Sequence, residues 1–501
     1  MDDKRLFLRR QFILGSHFID NYSDWKKITF GHCFLTVHPD LETTSIKKEN
    51  KEFVLLGFVL SHLKPEYKNI DILSEMCVKC NNNKDVIEYM ADLCGRFVFL
   101  FKLDGKMGLI NDLIGSRSVY YSIQNDFLWC ASQPSTLAKI INMKEDCSND
   151  IVKFIAEDLY INGEASWIGD GTKYVGVKHL LPNHYLDFDT KKAVRYWPVK
   201  RLERLDVESA AIQSASILKN TMKAAKCRFK LIQAITAGWD SRCLLAATKD
   251  IKDDIVYYIQ KFGSMNNKHA DIVIPQILAR KIGLNFSVIS CNKAADEWFV
   301  NALKNNVFVL HNPSKIKLYY NFLQQFSERV NMAGYIGEIG RTRYGILPVK
   351  KIEELLEIVN LQESRYAYSS LENWFSETSE LANRFDYNIR DLFYWEQKMG
   401  NWGTMFSSEL DIAIEEFYPF GTRTLIETFL SVRKEDRPLT DSKVHRRMIE
   451  ILWSDVLKEP INPHKNNLPI RRLMKIFLMK IGMLRILKSA LRNFKHKKVN
   501  I

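Results

Sequence analysis

Residues 231–248 read LIQAITAGWDSRCLLAAT, and this stretch decides the fold of half the chain. The apolar run at 231–235 predicts a buried strand, and Leu244 with its apolar neighbours predicts the inner face of a following helix. Between the two lies a short turn, in which Gly238 permits a close backbone approach or a positive φ. A strand, a tight turn and the free N–H groups of a helix start together form a site that suits an anion.

Strand and helix patterns alternate around this stretch. Helices are predicted near 207–225 and 269–282, and strands near 254–260 and 286–290, which indicates a parallel sheet covered by helices. Ligands of such sheets bind at the carboxyl ends of the strands, which is where the turn falls. Beyond these elements the pattern is mostly helical, and the pair Glu415-Glu416 is expected in a solvated turn.

The first 200 residues have a different pattern, with short β-like runs such as 53–60 and 95–102. The segment FKLDGKM at 101–107 is typical of a β-hairpin. These runs predict an α+β sheet domain before the α/β domain, and a basic tail follows the latter. The predicted boundaries of these three parts are 1–200, 201–468 and 469–501.

The composition is typical of a globular protein. The chain has 501 residues, 46% hydrophobic and 26% charged, which is enough for two or three domains. It has no apolar run of about 18 residues and no signal-peptide pattern at its start, so we expect no membrane span. Nine cysteines, an odd count, favour reduced thiols, and Cys77 with Cys80 lacks the second pair that a zinc site needs. We therefore expect a cytoplasmic protein.

The net charge of +13 is concentrated near the end of the chain. No acidic residue follows Glu459, whereas eleven lysines and arginines do, which leaves a net charge of +2 for the rest. The part of the chain before this basic end is nearly neutral, which argues against nucleic-acid binding. Apolar residues among the cations of 470–498 predict an amphipathic helix, which would dock on an anionic membrane surface, on a partner protein or on its own domain.

The turn sequence TAGWDSR matches neither of the two common phosphate-loop patterns, GxxxxGK[ST] and GxGxxG. It does contain the groups that a pyrophosphate site needs, namely backbone N–H donors, the hydroxyls of Thr236 and Ser241, and the carboxylate of Asp240. That carboxylate would hold Mg²⁺ beside the phosphates, or it would only cap the helix. The residues alone leave both roles of Asp240 open.

Several stretches together resemble the asparagine synthase family of the ATP pyrophosphatase, or PP-loop, superfamily. TAGWDS is similar to that family's SGGxDS pyrophosphate loop, and GYIGEIG at 334–340 is similar to its GxGxDExFGG segment. GRFVF at 95–99 resembles its glutaminase-like domain, WEQKM at 395–399 its VDRMSM region, and LKEPINPHK at 457–465 its LPxxxxxRxK segment. The resemblance covers roughly residues 50–465, with the motifs in the family's order.

The resemblance implies a fold and an activity. The fold is an α+β Ntn-hydrolase-like sheet domain, followed by an α/β parallel-sheet PP-loop synthetase domain with a helical C-terminal part. The activity is ATP-dependent, AMP-forming amide ligation, in which a small-molecule or peptide carboxylate is adenylated and ammonia or an amine is joined to it. ATP and Mg²⁺ are the implied cofactors. An intramolecular cyclase of the β-lactam synthetase or lasso-peptide type, and a non-catalytic scaffold, remain alternatives.

The glutaminase-like half departs from the family at its nucleophile. Family glutaminases use a cysteine directly after the initiator Met, whereas here Asp2 holds that position and the nearest cysteine is Cys33. A carboxylate cannot replace a thiolate in amide hydrolysis. The family's GxxYN segment, which helps to bind the oxyanion, reads GFVLS at 57–61. We therefore expect no glutaminase activity.

The synthetase half supplies the implied site residues. Asp240 matches the loop aspartate that binds Mg²⁺, whereas the family's second aspartate aligns with Gly337 and leaves Glu338 as the nearby carboxylate. Lys465 matches the lysine that neutralises charge around the acyl-adenylate, and with Asp240 and Glu338 it completes the implied catalytic set. Arg242 would contact phosphate oxygens or form an ion pair on the helix face. The residues implied to bind ATP are Ile235, Thr236, Ala237, Gly238, Trp239, Asp240, Ser241, Arg242, Ile259 and Gly334.

Overall fold

The computed structural model describes residues 3–157, 160–161, 164–261, 265–291 and 294–463. Lys465 and the basic tail predicted over 469–501 lie outside these residues. The first half of the chain forms two six-stranded antiparallel sheets, and the second half forms a five-stranded parallel sheet with helices. Within the described ranges, no helix combines the length and the apolar character needed to cross a membrane.

The strands of the first half, β1 to β12 in chain order, are Phe12–Gly15, Lys26–Phe30, Cys33–Val37, Thr43–Lys48, Lys51–Ser61, Leu93–Leu103, Lys106–Asn111, Tyr120–Gln124, Phe127–Ala131, Lys178–His179, His184–Asp187 and Lys192–Arg195. One sheet has the strand order β10-β8-β9-β1-β3-β2, and the other has the order β12-β11-β7-β6-β5-β4. Strands that are consecutive in the chain are often neighbours in these sheets, as expected for hairpin connections.

The longest pairing of the first half joins β5 and β6, with Phe53 opposite Phe101 and Val54 opposite Leu100. Because side chains alternate between the two faces of a strand, Phe53 and Phe101 enter a core shared with the second half. Val54 and Leu100 instead enter the core between the two sheets. Both faces are therefore buried, which explains the uninterrupted apolar runs in the sequence. The hairpin predicted at 101–107 is confirmed by the pairing of β6 with β7.

The strands of the second half, β13 to β17, are Leu231–Ala234, Ile255–Lys261, Phe286–Ser290, Val330–Met332 and Glu415–Phe417. Their order is β15-β14-β13-β16-β17, so β13 is the central strand. All neighbours in this sheet run parallel, and their carboxyl ends therefore meet at one edge. The strands predicted near 231–235, 254–260 and 286–290 are confirmed.

The prediction of a solvated turn at Glu415-Glu416 is wrong, because these residues begin β17. Glu416 is only 3% exposed, and its carboxylate accepts hydrogen bonds from the Asn331 side chain at 2.8 Å and from the Tyr418 hydroxyl at 2.7 Å. These bonds satisfy a buried carboxylate that the sequence pattern assigned to solvent. A strand of three residues is too short to produce a periodic signal, and so β17 was not predicted.

The helices agree with the alternating pattern of the sequence. The helix predicted near 207–225 begins after Asp206, whose side chain accepts a hydrogen bond from the Ser209 N–H and caps the helix. The mostly helical pattern beyond β15 is also confirmed. The described α-helices are Asp3–Leu6, Asn69–Lys79, Asn83–Met90, Pro134–Ile140, Asn149–Ala156, Val207–Arg228, Trp239–Ala247, Ala270–Ile282, Glu297–Asn306, Ile316–Gln325, Ile352–Ile358, Arg365–Phe385, Ile389–Phe393, Thr404–Leu410, Arg423–Ser431 and Lys443–Trp453.

A buried cluster of ion pairs joins the two halves of the chain. Arg96, which is 1% exposed, donates to both oxygens of Asp411 at 2.7 Å and to Glu415 at 2.8 Å. Arg117 Nη2 donates to Glu415 at 2.9 Å, and Arg10 Nε lies 3.3 Å from the same carboxylate. Burial opposes the ionisation of Glu415, yet the three guanidiniums lower its pKa to about 2. Bidentate pairing offsets the cost of burying these charges.

Candidate functional site

A short loop joins the carboxyl end of β13 to the helix Trp239–Ala247 at the centre of the parallel sheet. The Ile235 N–H donates to the Tyr258 carbonyl at 2.8 Å, which ties the start of the loop to β14. Gly238 has a φ of −87°, an ordinary value, so glycine is present here for space. A Cβ at this position would lie 3.2 Å from Thr236 Oγ1, which is a tight contact.

Two hydroxyls shape the loop from within. Ser241 Oγ accepts from the Thr236 N–H at 3.1 Å and lies 2.9 Å from Thr236 Oγ1, which in turn accepts from the Gly238 N–H at 3.1 Å. The Ala237 N–H donates to Oδ1 of Asp271 at 2.8 Å. The N–H groups of residues 236–238 therefore all donate to oxygens of the protein, and one of these acceptors, the Asp271 carboxylate, is itself an anion.

Asp240 lies in the first turn of the helix, and no side chain caps that helix, which argues against the capping role for Asp240. Its Oδ2 accepts from Arg341 Nη2 at 2.6 Å, whereas its buried Oδ1 has no hydrogen-bond partner in the described structure. Burial raises the pKa of Asp240 to about 7, an effect that Arg341 opposes and that Glu338 increases. A buried carboxylate oxygen without a partner is suited to a cation.

Glu338 meets the same guanidinium from another side. Its Oε1 lies 3.5 Å from Arg341 Nη2, and its Oε2 lies 3.5 Å from Arg343 Nη1. The Tyr394 hydroxyl donates to Oε2 at 2.9 Å. The structure thus brings Asp240 and Glu338 together as predicted, but it places Arg341 between them.

Two glycines allow the turn Tyr335–Gly340 to approach Asp240 closely. A Cβ at Gly334 would lie 3.1 Å from Asp240 Cβ, and a Cβ at Gly337 would lie 2.9 Å from Asp240 Oδ1. The predicted site residue Gly334 is therefore beside the loop, where it packs against Asp240. An aspartate at 337, as in the family's pattern, has no room in this arrangement, which leaves Glu338 as the second carboxylate.

The two predicted metal ligands differ in what they offer a cation. Asp240 has a free buried oxygen, whereas Glu338 is already engaged by Tyr394 and by two guanidiniums. Within the described ranges, no three His, Cys, Asp or Glu side chains form a metal-binding group. Mg²⁺ is commonly held by one or two carboxylates, with phosphate oxygens and waters as the other ligands. The residues present fit Mg²⁺ with Asp240 as the direct protein ligand.

Arg242 was predicted to contact phosphate or to form an ion pair on the helix face, and its side chain does neither in the structure. Arg242 is fully buried and donates to the carbonyls of Val456 at 2.6 Å, Glu459 at 3.2 Å and Pro460 at 3.2 Å. Burial lowers its pKa to about 10. Because carbonyls engage both of its terminal nitrogens, Arg242 fastens the segment 456–460 to the loop's helix.

This segment continues to the loop itself. The Asn462 N–H donates to the Ala237 carbonyl at 2.8 Å, so the last described residues lie against the predicted pyrophosphate loop. Lys465 is three residues further along the chain and lies outside the described residues. Its catalytic role therefore stays a prediction.

The apolar members of the predicted ATP set are buried. Trp239 is 2% exposed, and its Nε1 donates to the Thr440 carbonyl at 2.8 Å. Ile235 follows β13 and Ile259 lies within β14, and both side chains are buried. Any part that these three residues have in ligand binding falls to their backbone groups.

Sequence reasoning missed two polar residues at this site, namely Arg341 and Asp271, and it predicted Tyr394 in a helical core or, as the alternative, in a substrate pocket. Arg341 directly follows the GYIGEIG segment, but it lies 101 residues from Asp240 in the chain. No spacing rule connects positions so far apart. An alternation of strands and helices predicts that loops meet at one sheet edge, but not which side chains pair there.

Cys33, in the first half of the chain, is not an activated cysteine. This residue lies in β3 with a fully buried side chain, and burial raises its pKa to about 12. A thiol with so high a pKa is a poor nucleophile at neutral pH. Asp2, which holds the family's nucleophile position, lies outside the described residues.

No protein-family model and no curated protein matches this sequence. Among solved structures, the chain is similar to the glutamine phosphoribosylpyrophosphate amidotransferase of B. subtilis, with a TM-score of 0.24 and 10% identity over 57% of this chain and 61% of that one. An allosteric regulatory enzyme of purine biosynthesis matches with a TM-score of 0.26 and 8% identity over 57% and 76%. The glutamine-dependent NAD⁺ synthetase of Acinetobacter baumannii matches with a TM-score of 0.21 and 12% identity over 58% and 72%. Overlaps this loose carry no conclusion, so the family resemblance depends on the motifs alone.

Proposed function

We propose that this chain is an ATP-dependent, AMP-forming amide ligase of the asparagine synthase type, whose loop at 236–242 binds the pyrophosphate of ATP. One observation carries the proposal. The central strand of a parallel sheet ends in a loop that leads into a helix start that no side chain caps, and Asp240 in the first turn of that helix keeps one buried oxygen free. A pyrophosphate with its Mg²⁺ needs both of these features.

In the proposed reaction, the residues of the chain mainly position the substrates and balance charge. The N–H groups of 236–238 and the hydroxyls of Thr236 and Ser241 bond within the protein in this structure, and they exchange these partners for phosphate oxygens when ATP binds. Asp240 holds Mg²⁺, which when bound shields the negative charge of the phosphates. Arg341 balances the charge of Asp240 and Glu338, so that two carboxylates can face an anionic substrate.

The proposed chemistry has two steps. An oxygen of the substrate carboxylate attacks the α-phosphorus of ATP, and the bond from that phosphorus to the bridging oxygen breaks and releases pyrophosphate. Ammonia or an amine then attacks the acyl carbon, AMP leaves, and the nitrogen loses a proton to solvent. We assign to Lys465 the neutralisation of charge in both steps. The hydrogen bond from Asn462 to Ala237 supports this assignment, because it brings the segment before Lys465 to the loop.

The nitrogen is proposed to arrive as free ammonia or as a substrate amine. Asp2 replaces the family's nucleophile, and the thiol of Cys33 is buried in β3. The purified protein should therefore release no glutamate from glutamine. Glutamate release at a rate that matches product formation would overturn this part of the proposal.

The experiment that tests the function is an assay of the full chain with ATP, Mg²⁺, ammonium and a panel of carboxylic acids. We expect pyrophosphate and AMP to appear in equal amounts, and only when an accepted acid is present. Labelled ammonia that enters the product would identify an intermolecular ligase, whereas product without the label would identify an intramolecular cyclase. If neither pyrophosphate and AMP nor ATP–pyrophosphate exchange is detected, the ligase proposal is overturned in favour of a non-catalytic scaffold.

A further inference from the structure

A cavity of about 230 Å³ lies between the first half of the chain and the helical part of the second half. Phe154 and Trp167 line it from the first half, and Tyr344 and Phe393 line it from the second. Aromatic and aliphatic side chains form most of its wall. We call it the Trp167 cavity. It is smaller than the pockets of about 300–1,000 Å³ that bind drug-sized ligands, so it suits a small molecule.

The aromatic wall of the Trp167 cavity is held in place by its own contacts. Trp167 is 7% exposed, and its Nε1 donates to the Tyr366 hydroxyl at 2.7 Å. Its ring packs edge-on against Phe154, with the ring centroids 5.3 Å apart. A wall already ordered before binding costs little conformational entropy when a ring packs against it.

Gln397 supplies an unused hydrogen-bond donor to this cavity. The side chain is 2% exposed and lines the cavity. Its Oε1 accepts from the Gly169 N–H at 2.9 Å, which fixes the orientation of the amide, because only the oxygen can accept. Its Nε2 has no hydrogen-bond partner in the described structure. A buried donor without a partner is costly, and an acceptor in the cavity would remove that cost.

Lys398 is the cationic residue that lines the same cavity. Its Nζ lies 4.4 Å from the centroid of the Trp402 ring, and among the described residues no ion pair holds it. Burial lowers the pKa of Lys398 to about 8, while Glu164 opposes this shift and Arg343 adds to it. Gln397 and Lys398 are neighbours on the π-helical turns Tyr394–Gly403, a conformation often found at functional sites.

The Trp167 cavity lies one layer of side chains from the predicted pyrophosphate site. Tyr344, which lines it, packs edge-on against Tyr394 with the ring centroids 5.2 Å apart. The Tyr394 hydroxyl donates to Glu338, which shares Arg341 with Asp240. The side chains of Tyr344 and Tyr394 therefore separate the cavity from the carboxylate pair.

We propose that the Trp167 cavity binds a small aromatic carboxylic acid, as a ligand site distinct from the site at which a carboxylate would be adenylated. This inference goes beyond the proposed function, because the rings of Tyr344 and Tyr394 lie between the cavity and the carboxylate pair. The ring packs between Trp167 and Phe393, and the carboxylate accepts hydrogen bonds from Lys398 and Gln397. An amine of the same shape is excluded, because its charge would meet the Lys398 ammonium.

The test measures binding to the full chain by calorimetry, without ATP. The probes are phenylacetate and indole-3-acetate, with benzylamine and tryptamine as cations that carry the same rings. We expect the two acids to bind and the two amines not to bind. Lys398→Met removes the charge, and Gln397→Glu keeps the acceptor for Gly169 while it replaces the donor. Each substitution should weaken binding of the acids at least about tenfold.

Lys315→Met is the matched control. Lys315 is a second lysine above an aromatic ring, with its Nζ 4.1 Å from the Phe406 centroid, and burial lowers its pKa too, but it does not line the cavity. Binding of the acids should be unchanged in this variant. Equal binding of acids and amines to the unmodified chain, or no binding at millimolar concentration, would overturn the proposal even if a variant fails to fold.

The two proposals fail in distinguishable ways. Pyrophosphate release by a chain that binds no aromatic acid in this cavity would overturn the cavity assignment and leave the ligase in place. Binding of aromatic acids that depends on Lys398, with no adenylation of any acid, would overturn the ligase and show the cavity to be a binding site alone.

Discussion

Nη2 of Arg341 lies 2.6 Å from Oδ2 of Asp240, so a guanidinium pairs with the carboxylate that the loop presents at the carboxyl end of the central strand. The other carboxylate oxygen stays buried and without a partner in the described structure. The loop therefore has one oxygen held by the protein and one available to a cation. The first two predictions follow from this pair.

Replacing Asp240 with Asn keeps the size of the side chain and removes its charge. We expect pyrophosphate release to fall at least about a hundredfold, because the loop loses its direct ligand for Mg²⁺. The thermal unfolding transition should remain. Asp441→Asn is the control, since Asp441 is an exposed carboxylate that pairs with Arg446 at the surface. Unchanged turnover in Asp240→Asn would show that the loop is not the pyrophosphate site.

The pH dependence of the reaction should report the pKa of Asp240. Burial raises that pKa to about 7, so kcat/KM for pyrophosphate release should increase with pH through about 7, as the carboxylate loses its proton. Arg341 opposes the shift. In Arg341→Gln the pKa of Asp240 should be higher still, and the rise of kcat/KM should move to higher pH by about one unit or more. Arg343→Gln, at a residue that lies nearer Glu338, should move this rise by less. A rise of kcat/KM that stays at the same pH, or moves to lower pH, in Arg341→Gln contradicts this account.

Arg242→Met should destabilise the fold without a large change in ATP affinity. Three backbone carbonyls would lose their donors in a buried place, which we expect to lower the free energy of unfolding by about 2–4 kcal/mol. Denaturation in urea measures this loss. Arg447→Met, at an exposed arginine, should leave the transition in place. Normal stability of Arg242→Met, together with a large rise in its KM for ATP, would instead support the phosphate contact that the sequence predicted.

Arg96→Met should weaken the connection between the two halves of the chain. The substitution leaves Asp411 without its bidentate partner in a buried place, a change that typically costs about 3–5 kcal/mol. Arg204→Met is the matched control, because Arg204 forms an exposed ion pair with Asp386 and such pairs contribute little. Equal unfolding midpoints for the two variants would show that the buried cluster does not stabilise the junction.

Lys465→Ala should reduce kcat at least about a hundredfold and leave ATP affinity nearly unchanged, because the lysine acts on charge that develops in the transition state. Removal of the chain after about residue 468 should lower activity far less. Steady-state kinetics of both variants provide the check. An active Lys465→Ala together with a dead truncation would show that Lys465 is only one of the tail's many cations.

Local patterns in the sequence were enough to predict several strands and helices in both halves of the chain. The apolar runs of β5, β6 and β14 appear directly in the sequence, because burial on both faces requires nearly continuous apolar residues. The loop after β13 was also predicted as an anion site. The three-residue strands β16 and β17 were missed, since so few residues produce no period.

Side-chain partners were decided only by the tertiary structure. The sequence determined that Asp240 and Arg242 lie at the carboxyl end of a strand of a parallel sheet, and the family resemblance paired Glu338 with Asp240. It did not determine that Arg341 pairs with Asp240 across 101 positions, or that Arg242 binds a carbonyl 214 positions away. Periodicity records which face of an element is buried, over a few turns or a few strand residues. Partners far apart in the chain depend on how whole elements pack, and packing selects the pairs that satisfy buried charges and carbonyls.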